Sequence, residues 1–182
     1  MINTNILKYT QLQHAIFLLL CKTAGSKINQ RTMATKLHVT SAAVGRALSQ
    51  LEKDQLIVIQ KPGKMNLKEI ELNRENHRVI QLKRVENLRA LYLSNFVEYI
   101  TEQYAGSTII LFGSYAKGED TINSDIDIAV IGSKEKNIDL HLFQKTLERE
   151  IRITYLDTLD NVAKEFKENL CNGIVLAGGI TL

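Results

Sequence analysis

Apolar residues along this chain change their spacing several times, and each change marks an element. After nine mixed residues, Leu12, Ala15, Ile16, Leu19 and Leu20 recur at helical intervals behind Thr10, a suitable N-cap, and Gly25 is a natural stop. Lys27-Ile28 suits a very short strand. Asn29 and Thr40 are the next capping candidates. Each follows an apolar residue (Ile28, Val39) that can pair with one inside the helix (Met33, Val44). They predict a helix from Gln30 to about Leu37 and another to about Asp54 that buries Val44, Leu48 and Leu51. The period then drops to two. Residues 56–60 form a run with the β-branched Ile57, Val58 and Ile59 at its centre, residues 67–72 alternate, and Lys61-Pro62-Gly63-Lys64 turns the chain between them as a hairpin tip.

Residues 73–104 hold neither Gly nor Pro, and Leu82, Val85, Leu88, Leu91, Tyr92, Phe96 and Ile100 keep a helical rhythm. They predict one long connecting helix over 76–105, with a break near Asn76-His77 and an end at Gly106. Ile109-Ile110-Leu111-Phe112 is long enough for one buried strand and too short for a helix. Gly113-Ser114 and ten loop-forming residues follow, then a second apolar run that carries Asp125 and Asp127. Residues 139–149 read as an amphipathic helix through Leu140, Phe143 and Leu147, and residues 150–156 alternate as a strand. Asp160 can cap a helix to about Leu170, and residues 173–177 form a last short strand. The class is α+β. Three helices and a hairpin fill 1–75, the connecting helix spans 76–105, and a mixed sheet with flanking helices occupies 106–182.

At 182 residues and 45% apolar content the chain can bury a sizeable core. Its net charge of +3 is uneven. Residues 1–75 carry 11 Lys/Arg against 5 Asp/Glu, and the remainder carries 12 against 15. A basic front half on a mildly acidic back half points to a polyanion bound by the front. Cys21 and Cys171 lie far apart and suit buried thiols in a reducing cytosol, and the four histidines show no zinc-ligand spacing. The apolar run 15–21 is too short to span a bilayer, so a soluble, cytoplasmic protein without membrane contact is expected.

The candidate chemistry lies between Ile109 and Ile131. Residues two apart on a strand share a face, so Asp125 and Asp127 project together while Ile126, Ile128 and Val130 face away. Two adjacent carboxylates call for a cation, and Mg²⁺ is commonly held by such a pair plus substrate phosphates. Gly113-Ser114, entering a short helix, offers backbone N–H groups to phosphate. The strand, Gly113-Ser114, Ala116, Gly118, then Ser124, Asp125 and Asp127 resemble the nucleotidyltransferase superfamily of DNA polymerase β, above all its minimal branch. The resemblance implies Mg²⁺ on Asp125 and Asp127 and a nucleoside triphosphate held by Gly113, Ser114, Lys117 and Ser124. It also implies in-line transfer of a nucleotidyl group to an acceptor hydroxyl. In that superfamily a third carboxylate comes from the neighbouring strand, where this chain has Arg152. Glu150 lies two residues earlier on the same side and completes the catalytic set only if the register shifts by two or its longer arm reaches.

The front half is similar to the winged helix-turn-helix domain of MarR-like transcriptional regulators. The resemblance rests on pattern over about 65 residues and implies double-stranded DNA as partner. Thr40, Ser41, Arg46 and Lys53 would then lie on or beside the groove helix, with Arg46 the candidate for a base edge and Lys61 and Lys64 on the wing. Lys36 and Lys68 would join Lys53 in serving phosphates. The apolar stripe of the connecting helix suits either a second copy of the chain or the chain's own two domains. Three functions remain open: a DNA-binding regulator with a nucleotidyltransferase-fold domain, an active transferase acting on a small molecule or partner protein, and a nucleotide sensor without turnover.

Overall fold

Thr10 opens the first helix as its pattern predicts. Its hydroxyl accepts from Gln13 N while the Gln13 side chain accepts from Thr10 N, a reciprocal pair that satisfies two end groups. The computed structural model describes residues 9–60, 68–160 and 162–180, and the chain divides into two compact units, Met1–Val79 and Ile80–Leu182.

In the first unit, α1 (Gln11–Lys22) leads into β1 (Ile28–Asn29), α2 (Gln30–Lys36) and α3 (Ser41–Lys53). Asn29 and Thr40 cap α2 and α3 through their side chains. β2 (Ile57–Gln60) and β3 (Glu69–Leu72) pair antiparallel, Ile57 opposite Leu72 and Gln60 opposite Glu69, and β1 adds to the far side of β3. Ile16, Leu20, Met33, Val44, Leu48, Leu51, Leu56 and Ile70 are all buried, so one core joins the helices to the small sheet. The hairpin tip, with Lys61 and Lys64, lies outside the described residues.

The second unit is built on a four-stranded sheet in the order β6-β5-β4-β7. β4 (Thr108–Phe112) pairs antiparallel with β5 (Ile126–Ile131) and with β7 (Ile174–Ala177), and β5 runs parallel to β6 (Ile151–Leu156). Ile109, Leu111, Ile126, Ile128, Val130 and Ile151 share a cluster with Leu91, Phe96, Val97, Ile100, Tyr104 and Leu147. These come from α4 (His77–Leu93), α5 (Phe96–Gln103), residue 104 and α7 (His141–Leu147). The other face gathers Ile110, Phe112 and Ala129 with Leu159 and with Leu170 of α8 (Lys164–Cys171). Strand alternation thus puts Asp127 on the second face, beyond Ala129 and away from the larger core.

Several expectations are corrected. The single connecting helix over 76–105 is two helices, because Asn95 adopts a left-handed φ of +60°. Leu91, Phe96 and Ile100 face the unit's own sheet, whereas Val85 and Tyr92 are exposed. Asp160 does not cap α8, which begins at Lys164 without a side-chain cap. Neither cysteine forms a disulfide, but only Cys21 is buried, and Cys171 is exposed. Among the described residues no helix is long and apolar enough to cross a membrane.

A buried polar cluster ties the loop after β4 to α4. Lys83 Nζ donates to Asp120 Oδ1, both side chains 1% exposed, and Asn87 Nδ2 donates to Asp120 Oδ1 at 2.7 Å and to the Tyr115 carbonyl at 2.9 Å. Arg149 Nη2 lies 3.9 Å from Asp120 Oδ2. Gly118 brings the same loop close against α4: its φ is +78°, and a Cβ there would stand 2.4 Å from the Ile80 carbonyl oxygen. Removing one partner of a buried ion pair strands the other charge, so Asp120→Ala is expected to lower the unfolding free energy by about 3–5 kcal/mol. Lys83→Met combined with Asp120→Leu removes both charges and is expected to cost less than Asp120→Ala alone. Urea unfolding of the three proteins checks the order, and a single variant as stable as the parent refutes it.

Candidate functional site

β4 ends in Phe112, whose partner across the ladder is Asp127, and Asp127 is paired on its other side with Arg152. This three-strand row sets the geometry of the site. Directly after it the backbone turns into α6 (Gly113–Lys117) through Gly113, at a φ of +73°. A Cβ on Gly113 would meet Asp127 Oδ2 at 2.4 Å, so the carboxylate lies against the bare Cα, and a side chain here would displace it and strain the positive-φ backbone. Within α6, Tyr115 and Ala116 are buried in the larger core, which leaves Ser114 and Lys117 partly exposed. Gly118 closes the helix, its N–H donating to the carbonyls of Ser114 and Tyr115. Gly113, Ala116 and Gly118 of that pattern therefore each have a packing reason.

The loop then returns towards the sheet. Ser124 Oγ accepts from Thr121 N at 2.9 Å, and Ser124 N donates to the Thr121 carbonyl at 3.0 Å. This tight turn delivers Asp125 to the mouth of β5. The Ser124 side chain, expected to contact nucleotide, is engaged in shaping that turn. Asp125 Oδ2 lies 3.1 Å from Arg152 Nη2, and Glu150 Oε2 lies 3.6 Å from the same nitrogen. Asp125, Asp127 and Arg152 thus gather on one side of the sheet, next to the Gly113-Ser114 turn.

Burial pushes the Asp127 carboxyl above the ordinary aspartate range, the Asp125 charge adds to this, and Arg152 works against it. A like-charge carboxylate pair that is partly desolvated is one that a divalent cation would relieve, so Asp125 and Asp127 suit a single hard ion. The third place does not. Arg152, not Glu150, is in register with Asp127, the two-residue shift that would bring Glu150 there is not made, and Glu150 precedes β6 with its carboxylate exposed. Among the described residues no three His, Cys, Asp or Glu side chains converge as a metal-holding group. Sequence reasoning missed Lys83, Asn87, Asp120 and Arg149, which form the buried polar cluster that holds the loop. Only Asp120, one of the two adjacent acids Glu119 and Asp120 between Gly118 and Ser124, could have signalled them.

In the first unit, the exposed positions Ala42, Arg46, Ser49 and Lys53 fall on one face of α3, opposite Val44, Ala47, Leu48 and Leu51. Thr40 and Ser41 stand at its start but are partly engaged: Thr40 Oγ1 accepts from Ala43 N at 3.2 Å, and Ser41 Oγ accepts from Gln30 Nε2 at 3.2 Å.

Residues 93–174 match the family model of the nucleotidyltransferase domain. A Methanocaldococcus jannaschii protein named "Putative protein adenylyltransferase" is 40% identical over 57 residues, 30% of this chain and 57% of that protein. The chain thus spans little more than half the length of that curated relative. Among solved structures, the S. aureus MepR–DNA complex covers 52% of this chain and 81% of its own, at 18% identity and a TM-score of 0.33. A nucleotidyltransferase domain is therefore what the second unit resembles in sequence as well as in the layout of its strand, turn and paired acids.

Proposed function

We propose that this chain is a DNA-binding regulator whose second unit binds a nucleoside triphosphate with Mg²⁺ and transfers a nucleotidyl group from it. The observation that carries the transferase reading is the seat of the Asp127 carboxylate against Gly113, with Asp125 alongside. It supports reading the two acids as a cation-holding pair beside a turn whose backbone N–H groups suit phosphate oxygens. The relative named as a protein adenylyltransferase favours ATP as donor and a protein hydroxyl as acceptor.

Asp125 and Asp127 would hold the cation, which when bound neutralises the triphosphate and leaving pyrophosphate charge. Gly113 N–H and the Ser114 hydroxyl grip the terminal phosphates, and Lys117 adds charge at the end of α6. The acceptor oxygen attacks the α-phosphorus as the bond to the β-phosphate oxygen breaks. Arg152 is always protonated and cannot take the hydroxyl proton. Glu150, exposed and held beside Arg152, is the group we assign to receive it.

A second reading concerns the first unit. The small, basic, exposed face of α3 and the +6 balance of residues 1–75 fit a helix lying in the major groove of duplex DNA, Arg46 reading a base edge and Lys53 a phosphate.

Three outcomes follow. Calorimetry with Mg²⁺ and a non-hydrolysable ATP analogue should give binding, lost in Gly113→Ala and weakened by at least about tenfold, or 1.4 kcal/mol, in Asp127→Asn. No heat from the parent protein at millimolar nucleotide refutes the transferase reading. Because the Asp127 carboxyl is held high, its ionised form is lost at a higher pH than for an ordinary aspartate, and metal affinity should fall with it on acidification. Carboxyl ¹³C titration should show that pKa drop in Asp125→Asn, which removes a repelling charge, and rise in Arg152→Gln, which removes an attracting one. Fluorescence anisotropy should show affinity for mixed-sequence duplex DNA falling steeply with salt and falling further in Arg46→Ala with Lys53→Ala. Salt-independent affinity would remove the groove reading.

A further inference from the structure

The residue in register with Asp127 on the next strand is a cation, not an acid. Arg152 holds its place from two sides, its Nη2 being 3.1 Å from Asp125 Oδ2 and 3.6 Å from Glu150 Oε2. A guanidinium presents donors only, so it offers a metal ion no ligand and repels it. Two-metal phosphoryl-transfer sites keep their ions roughly 3.5–4 Å apart, shared between bridging carboxylates. Here the Arg152 head lies 3.1 Å from Asp125 on the β6 side, so an ion reaching Asp125 from that side would meet a guanidinium. No third carboxylate, histidine or thiolate converges there among the described residues.

Resting on the reading of Asp125 and Asp127 as the cation-holding pair, we propose that Arg152 stands permanently in the place of one of two cations, so that the site takes a single divalent ion. That ion is the one that accompanies the triphosphate. Arg152 supplies the other positive charge from the protein itself, and the ion pair with Glu150 keeps it on the β6 side. Two consequences separate this from an arginine that merely decorates the strand. The metal count per bound nucleotide is one, and the guanidinium competes with the ion for Asp125, so metal alone binds the parent chain weakly.

Electron paramagnetic resonance titration with Mn²⁺ tests both on the full chain. With saturating non-hydrolysable ATP analogue, the parent protein is expected to bind one Mn²⁺ per chain and Arg152→Asp to bind two. Without nucleotide, Arg152→Gln should bind Mn²⁺ more tightly than the parent, by on the order of tenfold for one removed neighbouring charge. Arg152 is 63% exposed, so neither variant opens the core, and circular dichroism verifies this. Two Mn²⁺ in the parent complex, or no tightening in Arg152→Gln, overturns the proposal and leaves the nucleotide reading standing. No Mn²⁺–nucleotide complex at all in the parent overturns the nucleotide reading, and this proposal with it.

Discussion

The row formed by Phe112, Asp127 and Arg152 across β4, β5 and β6 is the constraint on which the rest of the second unit depends. Strand pairing allows each of these residues one neighbour on either side, and a slip of one residue would turn every side chain to the other face. With Ile126, Ile128 and Val130 locked into the larger core, no such slip is open to β5. The register therefore delivers Asp127 to the end of β4, where the chain must bend sharply to avoid it. Gly113 makes that bend with a positive φ and no side chain, so the strand end, the turn and the carboxylate fit only as a set.

A turn set by so close a contact needs support from beneath, and the polar cluster around Asp120 provides it. The Lys83–Asp120 pair has almost no exposure, and Asn87 bonds to both Asp120 and the Tyr115 carbonyl, so α4 holds the segment at Tyr115 and at Asp120. Burying charge this way gives little net stability compared with apolar packing, but it fixes geometry, because any displacement leaves a charge without its partner. Tyr115 lies within the same cluster, and burial together with the Asp120 charge drives its hydroxyl pKa far up, so it stays neutral there.

How far the sequence foretold this depends on the physics of each residue. Residues 109–112 and 126–131 were legible as strands because β-branched runs bounded by glycine and loop residues admit few other forms. The shared side of Asp125 and Asp127 followed from the period of two alone. The place of Arg152 beside the acids was legible only through the family resemblance, since alternation alone leaves a two-residue shift to Glu150 open, and the β5–β6 register decides it. Lys83 was not legible. A lysine in a helical pattern reads as solvent-facing, and its burial depends on an acid 37 residues further along the chain. The break at Asn95 left no periodic signal either, since a single left-handed residue interrupts a helix without altering the apolar spacing on both sides of it. In α7, Glu148 likewise takes a φ of +55° and ends the helix short of residue 149.

The same logic bears on why an arginine is tolerated in a place that a carboxylate would suit. Three acids converging on one strand end repel one another unless a cation lies between them. Substituting a guanidinium for one of them reverses that: Arg152 lowers the Asp127 pKa that burial and Asp125 raise, and it bridges Asp125 to Glu150. The site is then partly neutralised before any ion arrives, and the turn at Gly113 does not depend on a ligand to hold its shape. What is given up is a base in register with Asp127, so proton removal from an acceptor must come from a group beyond the strand pairing, and Glu150 is the acid that the Arg152 contact keeps near the site.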